Sequence, residues 1–486
     1  MSPAAEPRAL PRWWVALVVA VPVVLGAFSG AYRRTFDAWV HIFFADHYLH
    51  GWFEVWEPRW YGGFSVLSYP PLAHQLVASA ASLVGHETGF VLVMGTVMLL
   101  TPVACGVFAR AVLGPEVVPW VMTLAALWPT SHRFAYVYGQ LPMMVATPLA
   151  LFAMAMVASF LRDGKPLQLG LLTALVGATA ATHHVSIIFV ALGCAIVGLG
   201  QLVAAPSGAR SLVLGRGVIG AVCAGLAIAV AIWPFLRVAA AAPQTEIPHI
   251  SRDPLWERPF GLEVIEQYTL VFAGLVAVVA TAVKWRARFG LALGLLLFAV
   301  LSTGFTTPLP QLLFRAQARW LTYDKFHHWA ALWLCVLLGP LVAKLGRRGV
   351  VVLAVALWPA ALLQVGHKAS DALQPEFVKD ISPLLSVLNA PGAASYRHLA
   401  LGFGDQFCRL DIYGRSPNVD GDYHTARNDP VLRASGVATL DASKYYPKGP
   451  EVLQSVLSRA DALSLKWVFV NDTWYYEPLL ANGFEL

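Results

Sequence analysis

The sequence predicts an all-α polytopic membrane protein that ends in a small α+β region, and two observations carry this. Hydrophobic residues make up 57% of the chain and charged residues 13%, with a positive mean hydropathy, which is far more apolar than a soluble protein of 486 residues. Half of the acids, 14 of 28, fall in residues 367–486, so the apolar bias belongs to the part before them. The chain therefore divides into a transmembrane domain over 1–366 and a more polar C-terminal region over 367–486. The net charge of +6 sits largely in short links between apolar stretches, where Lys and Arg act as topology signals and not as a nucleic-acid surface. Five cysteines at 105, 194, 223, 335 and 408 show no paired spacing, which argues against a disulfide framework or a zinc site.

A membrane-crossing helix needs roughly 20 apolar residues. Along the chain such stretches occur at about 13–29, 88–110, 117–131, 142–161, 167–183, 185–205, 212–236, 267–283, 289–305, 326–343 and 349–366. The first follows Arg8 and Arg12 and precedes Ser29-Gly30-Ala31, so it reads either as a retained helix or as a cleaved signal peptide. Both readings place the residues after it outside the cytoplasm. Residues 69–85 are apolar too, but counting them as a crossing would put every later basic link outside. They are expected to lie at the outer surface as a helix begun by Pro70-Pro71, where proline suits a first turn. The links 162–165, 210–216, 284–288 and 344–348 then share the inner side with Arg110 and the N-terminus. Eleven spans result, with the tail outside.

The outer loop over 30–87 is densest in chemistry. Asp37, His41, Asp46, Glu54, Glu57, Arg59 and the run Ser68-Tyr69-Pro70-Pro71-Leu72 hang between two stretches that belong in lipid. Ionisable groups at a bilayer surface lose hydration, so such density marks a reaction or binding site. Asp37, the first acid beyond the first helix, reads as a catalytic base or as the N-cap of a following helix. His41 lies four residues on, and a helix would give the two one face, on which His41 could orient Asp37, help to bind a metal or contact substrate. Trp52, Trp56 and Trp60 recur every four residues and read as interfacial anchors, with Glu57 the acid among them chosen as a substrate contact.

A second cluster spans 314–328. Arg315, Arg319 and Lys325 stand on the side where cations are rare, and if the segment coils the two arginines are one turn apart and able to grip a phosphate as bidentate donors. The other reading pairs them with Asp324 and anionic headgroups. His132-Arg133 and His183-His184 end spans at the same surface, which makes Arg133 a further substrate contact. His183, His184 and Asp324 are weak candidates for a divalent metal, since adjacent histidines on a helix point about 100° apart. The polar outer loop 237–266 suits a lid or an acceptor contact. In the tail, Trp467-Val468-Phe469-Val470 before Asn471-Asp472 reads as a strand.

One acid soon after the first helix, tryptophan-rich amphipathic stretches and then Pro-Pro-Leu resemble the first external loop of GT-C-type glycosyltransferases, polytopic enzymes that use lipid-phosphate-linked sugars. Many relatives carry a second acid beside the first, where this chain has Phe36-Asp37-Ala38-Trp39. Val419-Asp420-Gly421-Asp422-Tyr423-His424 and Lys466 to Asp472, together with the first loop, the His-His pair and Asp324 to His328, also resemble the bacterial membrane-protein family called 6-pyruvoyl-tetrahydropterin synthase-related, over most of the chain. Nothing in these residues suggests pterin chemistry. The resemblance implies an inverting glycosyltransferase of the cytoplasmic membrane, working on the extracytoplasmic side, with Asp37 as base. Its partners would be a polyprenyl-phosphate sugar donor, membrane lipid, and a glycan, lipid or protein acceptor. No cofactor is implied with certainty, and a divalent metal is compatible. The alternatives are a lipid-glycan transporter, which should carry ionisable groups near mid-membrane where these spans have almost none, and a non-catalytic envelope assembly protein. The chain stops at Phe484-Glu485-Leu486 just after an apparent loop, as a shortened product or fragment would.

Overall fold

The computed structural model describes residues 13–259, 261–281, 285–373 and 378–485. The expectations resting on Arg8, Arg12, Lys284 and residues 374–377 lie outside these. Apolar stretches form helices because hydrocarbon offers the backbone no hydrogen-bond partner, so each segment must satisfy its own. Helix α1 (Trp13–Ser29) leads through a short 3-10 turn into α2 (Ala38–His50). A minimal antiparallel hairpin follows, β1 (Trp56–Glu57) and β2 (Phe64–Ser65), with Trp56 opposite Ser65. Helix α3 (Leu72–Val84) begins directly after Pro70-Pro71, as the sequence suggests, and a turn at Gly85 doubles it back against α4 (His86–Leu113).

The stretch expected as a single span at 117–131 is interrupted. Helix α5 (Val118–Leu127) stops at Trp128, whose backbone is extended (φ −70°, ψ 124°), because Pro129 disfavours a helical residue before it. The chain resumes as α6 (Pro129–Arg133) and a wide π turn over Phe134–Tyr138. Helices α7 (Leu141–Asp163), α8 (Pro166–Thr182), α9 (Ser186–Ala204), α10 (Arg210–Ala241), α11 (Leu262–Thr281), α12 (Trp285–Ser302) and the short α13 (Leu309–Phe314) continue the bundle. Helix α14 (Asp324–Leu373) joins the last two expected spans across a break at Gly346 (φ 62°, ψ −151°). Among the described residues, α4, α7, α9, α10 with the turn before it, and α14 as far as Gly346 are long and apolar enough to cross a membrane. Shorter apolar runs lie in α1, α3, α5, α8, α11 and α12.

The C-terminal region builds α15 (Ser382–Leu388), β3 (Arg397–Leu401), α16 (Cys408–Tyr413), α17 (Pro430–Ala434), α18 (Gly449–Leu457), β4 (Leu465–Val470) and α19 (Tyr476–Ala481). Strands β3 and β4 pair in parallel, with His398 opposite Trp467. Parallel pairing demands a long crossover, and the helices between the strands supply it.

This region clamps the loop after α1. The Trp60 indole donates to Asp411 Oδ2 (2.7 Å), the Asn418 amide N–H to the Arg59 carbonyl (2.7 Å), the Asn428 side chain to the Gly63 carbonyl (2.6 Å) and the Tyr423 hydroxyl to the Ser68 carbonyl (2.7 Å). Residues Ala38 to Tyr48 of helix α2 are all buried, and one expectation changes as a result. The tryptophans are not one belt: Trp52 and Trp56 are 41% and 49% exposed, whereas Trp60 is 0% exposed and stacks on Phe43 with ring centroids 3.7 Å apart. A side chain at Gly421 would place its Cβ 2.5 Å from the Trp60 ring, so glycine is what lets the tail close over the indole.

Candidate functional site

Asp37 sits where α2 begins, yet its carboxylate makes no capping hydrogen bond. That task falls to Thr35, whose Oγ1 accepts from the Ala38 amide at 3.2 Å. The backbone of Phe36 and Asp37 is instead tied to the π turn, through N–H donation to the carbonyls of Val137 (3.2 Å) and Tyr138 (2.9 Å). Contact this close needs Gly139, with φ 71°, because a Cβ there would meet Thr35 Oγ1 at 2.4 Å. The next residue, Gln140, thereby reaches Asp37 and donates Nε2–H to Oδ2 at 2.9 Å.

Opposite lies the first turn of α14. Lys325 is buried and its ammonium donates to Thr322 Oγ1 at 2.5 Å. Its charge acts on Asp37, but not enough to offset desolvation: burial, reinforced by the neighbouring Asp324, pushes the Asp37 carboxyl up to about 6 against the opposing pull of Lys325 and Gln140. The same ammonium is felt by His183, His184 and His249, each held below the usual histidine range chiefly by burial. The imidazoles around it are thus neutral at pH 7.

Tyr69 forms the centre of the adjoining wall. Its ring packs against His74 (centroids 5.2 Å), His184 (5.6 Å), His41 (6.4 Å) and His183 (6.5 Å), and against Tyr423 of the tail (5.1 Å). The charge of Asp37 reaches Tyr69 and also Asp422 of the tail, whose carboxyl is raised well above the usual range by burial and by Asp405, Asp37 and other acids. A cluster of Asp37, Gln140, Tyr69, His183, Lys325 and Asp422 is thus drawn together from five separate stretches of chain. Gln140 was not picked out by the sequence, and Asp422 entered only within the run that carries a family resemblance, without a site role. The signals available were a polar residue opening a span after Gly139, and the Asp-Gly-Asp-Tyr-His run at 420–424.

Other expected site residues stand elsewhere. His41 does not orient the Asp37 carboxylate, because its Nδ1 is paired with His74 Nε2 at 3.1 Å. Glu57 is 1% exposed and fully engaged by His47 Nδ1 (3.0 Å), by Arg59 Nε (2.8 Å) and Nη2 (2.6 Å), and by the Arg59 amide (2.9 Å). Arg59 bridges on to Asp46 at 2.5 Å, so Glu57 belongs to a closed ionic network with no lone pair left for a substrate. Arg133 is paired with Glu266 at 2.8 Å within the bundle. Arg315 and Arg319 are exposed on a 3-10 turn over Arg315–Trp320. The backbone of Arg315 is non-helical (φ 50°, ψ −127°), so the two arginines do not sit one helical turn apart on a shared face, the geometry a two-pronged grip would need. Among the described residues, no three His, Cys, Asp or Glu side chains stand close enough together to hold a metal ion, so His183, His184 and Asp324 form no such set.

No family model and no curated protein matches the chain, so the resemblance to the 6-pyruvoyl-tetrahydropterin synthase-related family gains no support. Solved structures do match it in fold. An archaeal oligosaccharyltransferase, AglB from Archaeoglobus fulgidus, in complex with an inhibitory peptide and a dolichol-phosphate, superposes with a TM-score of 0.55 at 12% identity, covering 96% of this chain and 71% of that one. The Archaeoglobus fulgidus oligosaccharyltransferase in complex with Zn and sulfate gives 0.55 at 13% identity, with 95% and 69% covered. ArnT from Cupriavidus metallidurans bound to undecaprenyl phosphate gives 0.56 at 13% identity, with 84% and 86% covered. These neighbours are GT-C-type glycosyltransferases. At such identity the likeness is one of fold.

Proposed function

We propose that the chain is an inverting glycosyltransferase that takes a sugar from a polyprenyl-phosphate donor and adds it to an envelope glycan, lipid or protein. The observation that carries this reading is Asp37, a carboxylate held by a single amide donor, desolvated to a pKa of about 6 and faced by a buried ammonium, on a GT-C-like fold. A base poised near the working pH is what proton abstraction from an acceptor requires. In one displacement the acceptor's oxygen or nitrogen bonds to the anomeric carbon, the carbon–oxygen bond to phosphate breaks with its electron pair leaving on phosphate, and the acceptor's proton passes to Asp37. Attack opposite the leaving group inverts the anomeric centre. Lys325 would stabilise the departing phosphate, which needs no general acid. The neutral histidine wall and Tyr69 would shape the sugar pocket, and Asp422 would close it from the tail. No step is assigned to a metal ion.

The sidedness follows the same logic. Gln140 opens α7 and His183 closes α8, whereas Arg162, Lys165, Arg210 and Arg216 lie at the opposite ends of α7, α8 and α10. The positive-inside rule then supports eleven spans in the cytoplasmic membrane, with the Asp37 pocket and the tail outside. The reading is tested with purified protein and a panel of radiolabelled polyprenyl-phosphate sugars, following label from the lipid phase onto an acceptor. Transfer from at least one donor, lost in Asp37→Asn, is expected. Labelled donors that all stay intact would overturn the assignment.

A further inference from the structure

A cavity of about 470 Å³ lies between α7, α8, α9 and α10, lined by Phe160, Leu161, Val190, Leu202, Ile228 and other apolar side chains. Its volume is that of a ligand pocket. Gly198, Gly217, Gly220 and Gly225 contribute no side chains to it, and among the described residues Arg216 is its sole charged lining residue. Arg216 marks one end: its Nη1 donates to the carbonyls of Leu161 (2.9 Å) and Arg162 (2.7 Å), the last turn of α7. Around that end the segments 162–165 and 207–216 carry Arg162, Lys165, Arg210 and Arg216 against one acid, Asp163, which Arg162 engages at 3.0 Å. Arg162, Lys165 and Arg210 are exposed.

An apolar slot inside membrane helices that opens beside surplus cations complements a molecule with a hydrocarbon chain and an anionic head. The reaction pocket lies elsewhere. Gln140, which touches Asp37, and Leu161, which lines the cavity, stand at opposite ends of α7, separated by about 30 Å at 1.5 Å per residue. A donor whose phosphate sits at Lys325 cannot also place it at Arg216. We propose that this cavity binds an acyl chain of an anionic phospholipid, with the phosphate beside Lys165 and Arg216, as a lipid site separate from the transfer centre. Its occupancy ties α7, α8, α9 and α10 together at the end remote from Asp37.

The test uses the full chain reconstituted in nanodiscs of mixed phosphatidylglycerol and phosphatidylcholine, then returned to detergent and weighed by native mass spectrometry. Wild type should keep one phosphatidylglycerol per chain in preference to phosphatidylcholine. Gly217→Leu and Gly198→Leu fill the cavity from two walls, where an added Cβ first meets Leu161 at 3.8 and 3.7 Å, ordinary contacts. Retention should fall several-fold in both. Equal retention of the two lipids by wild type overturns the proposal without recourse to any variant. Unchanged retention in both filled proteins overturns it as well. Displacement of the bound lipid by equimolar polyprenyl phosphate would also overturn it, giving the cavity to the donor's tail.

Discussion

Asp37 and Glu57 occupy the same loop, and the fold drives them in opposite directions. Burial alone would raise both. For Glu57 that effect is outweighed by hydrogen bonds from Arg59 and His47 and by the Arg59 charge, which hold its carboxyl down to about 2. For Asp37 one amide and one ammonium leave burial in command, and the carboxyl rises to about 6. The difference separates two uses of a buried acid. A carboxylate whose lone pairs are filled by its own protein locks a loop in place, whereas one left short of donors keeps the capacity to take a substrate's proton.

The largest effect should come from Asp37→Asn. An amide cannot accept the proton, so transfer should fall by roughly 10²–10⁴. Thermal unfolding should be unchanged or occur at a higher temperature, because an underpaired charge no longer has to be desolvated. A variant that turned over like wild type would remove Asp37 from the chemistry, and one that unfolded would return it to a structural role. Glu57→Gln should behave in the reverse way. It strips the central anion from a buried network, costing on the order of 3 kcal/mol in denaturant unfolding while turnover per folded molecule stays as in wild type. Since the folded-state pKa of Glu57 lies below its ordinary 4.5, its contribution is complete above that pH and is lost as pH falls through about 2. Wild-type protein should therefore lose a stability increment across that window which Glu57→Gln lacks.

Lys325→Met should lower transfer roughly ten- to a hundredfold, the worth of one charge-assisted contact to a phosphate. The smallest effect belongs to Arg319→Lys. On an exposed 3-10 turn, without a hydrogen bond or ion pair among the described residues, it should change transfer at subsaturating donor by no more than about threefold, because a headgroup accepts either cation. A fall of tenfold or more would bring the donor phosphate to that turn and move the pocket's boundary outward.

Hydropathy made the helices legible, and the charge of their links made the orientation arguable, because lipid imposes one rule on every span. Asp37 and Lys325, the proposed base and phosphate contact, stand out in the sequence for a related reason: ionisable groups beside apolar stretches are conspicuous. Partnership was not legible. Nothing local distinguishes Glu57 from Asp37, since their difference lies in how many donors the fold turns toward each. Trp60 shares the spacing of Trp52 and Trp56, and a period of four does not tell a lipid-facing indole from one covered by residues 411–421. Gln140 reaches Asp37 across 103 positions and Tyr423 reaches Ser68 across 355, separations over which a pattern carries no signal.

Whether Asp37 is the proton acceptor is tested most directly by the pH dependence of kcat/KM for transfer, because that ratio reports the ionisation of the free enzyme. The base must be ionised to act, so wild type should hold its activity above pH 6 and lose it about tenfold per unit below, with a limb near 6. In Lys325→Met the cation that favours the ionised carboxylate is gone, and the remaining activity should fall off at a higher pH than in wild type. A wild-type profile that stays flat down to about pH 4.5, or a limb that does not move when Lys325 is neutralised, would contradict the claim that this carboxylate takes the proton.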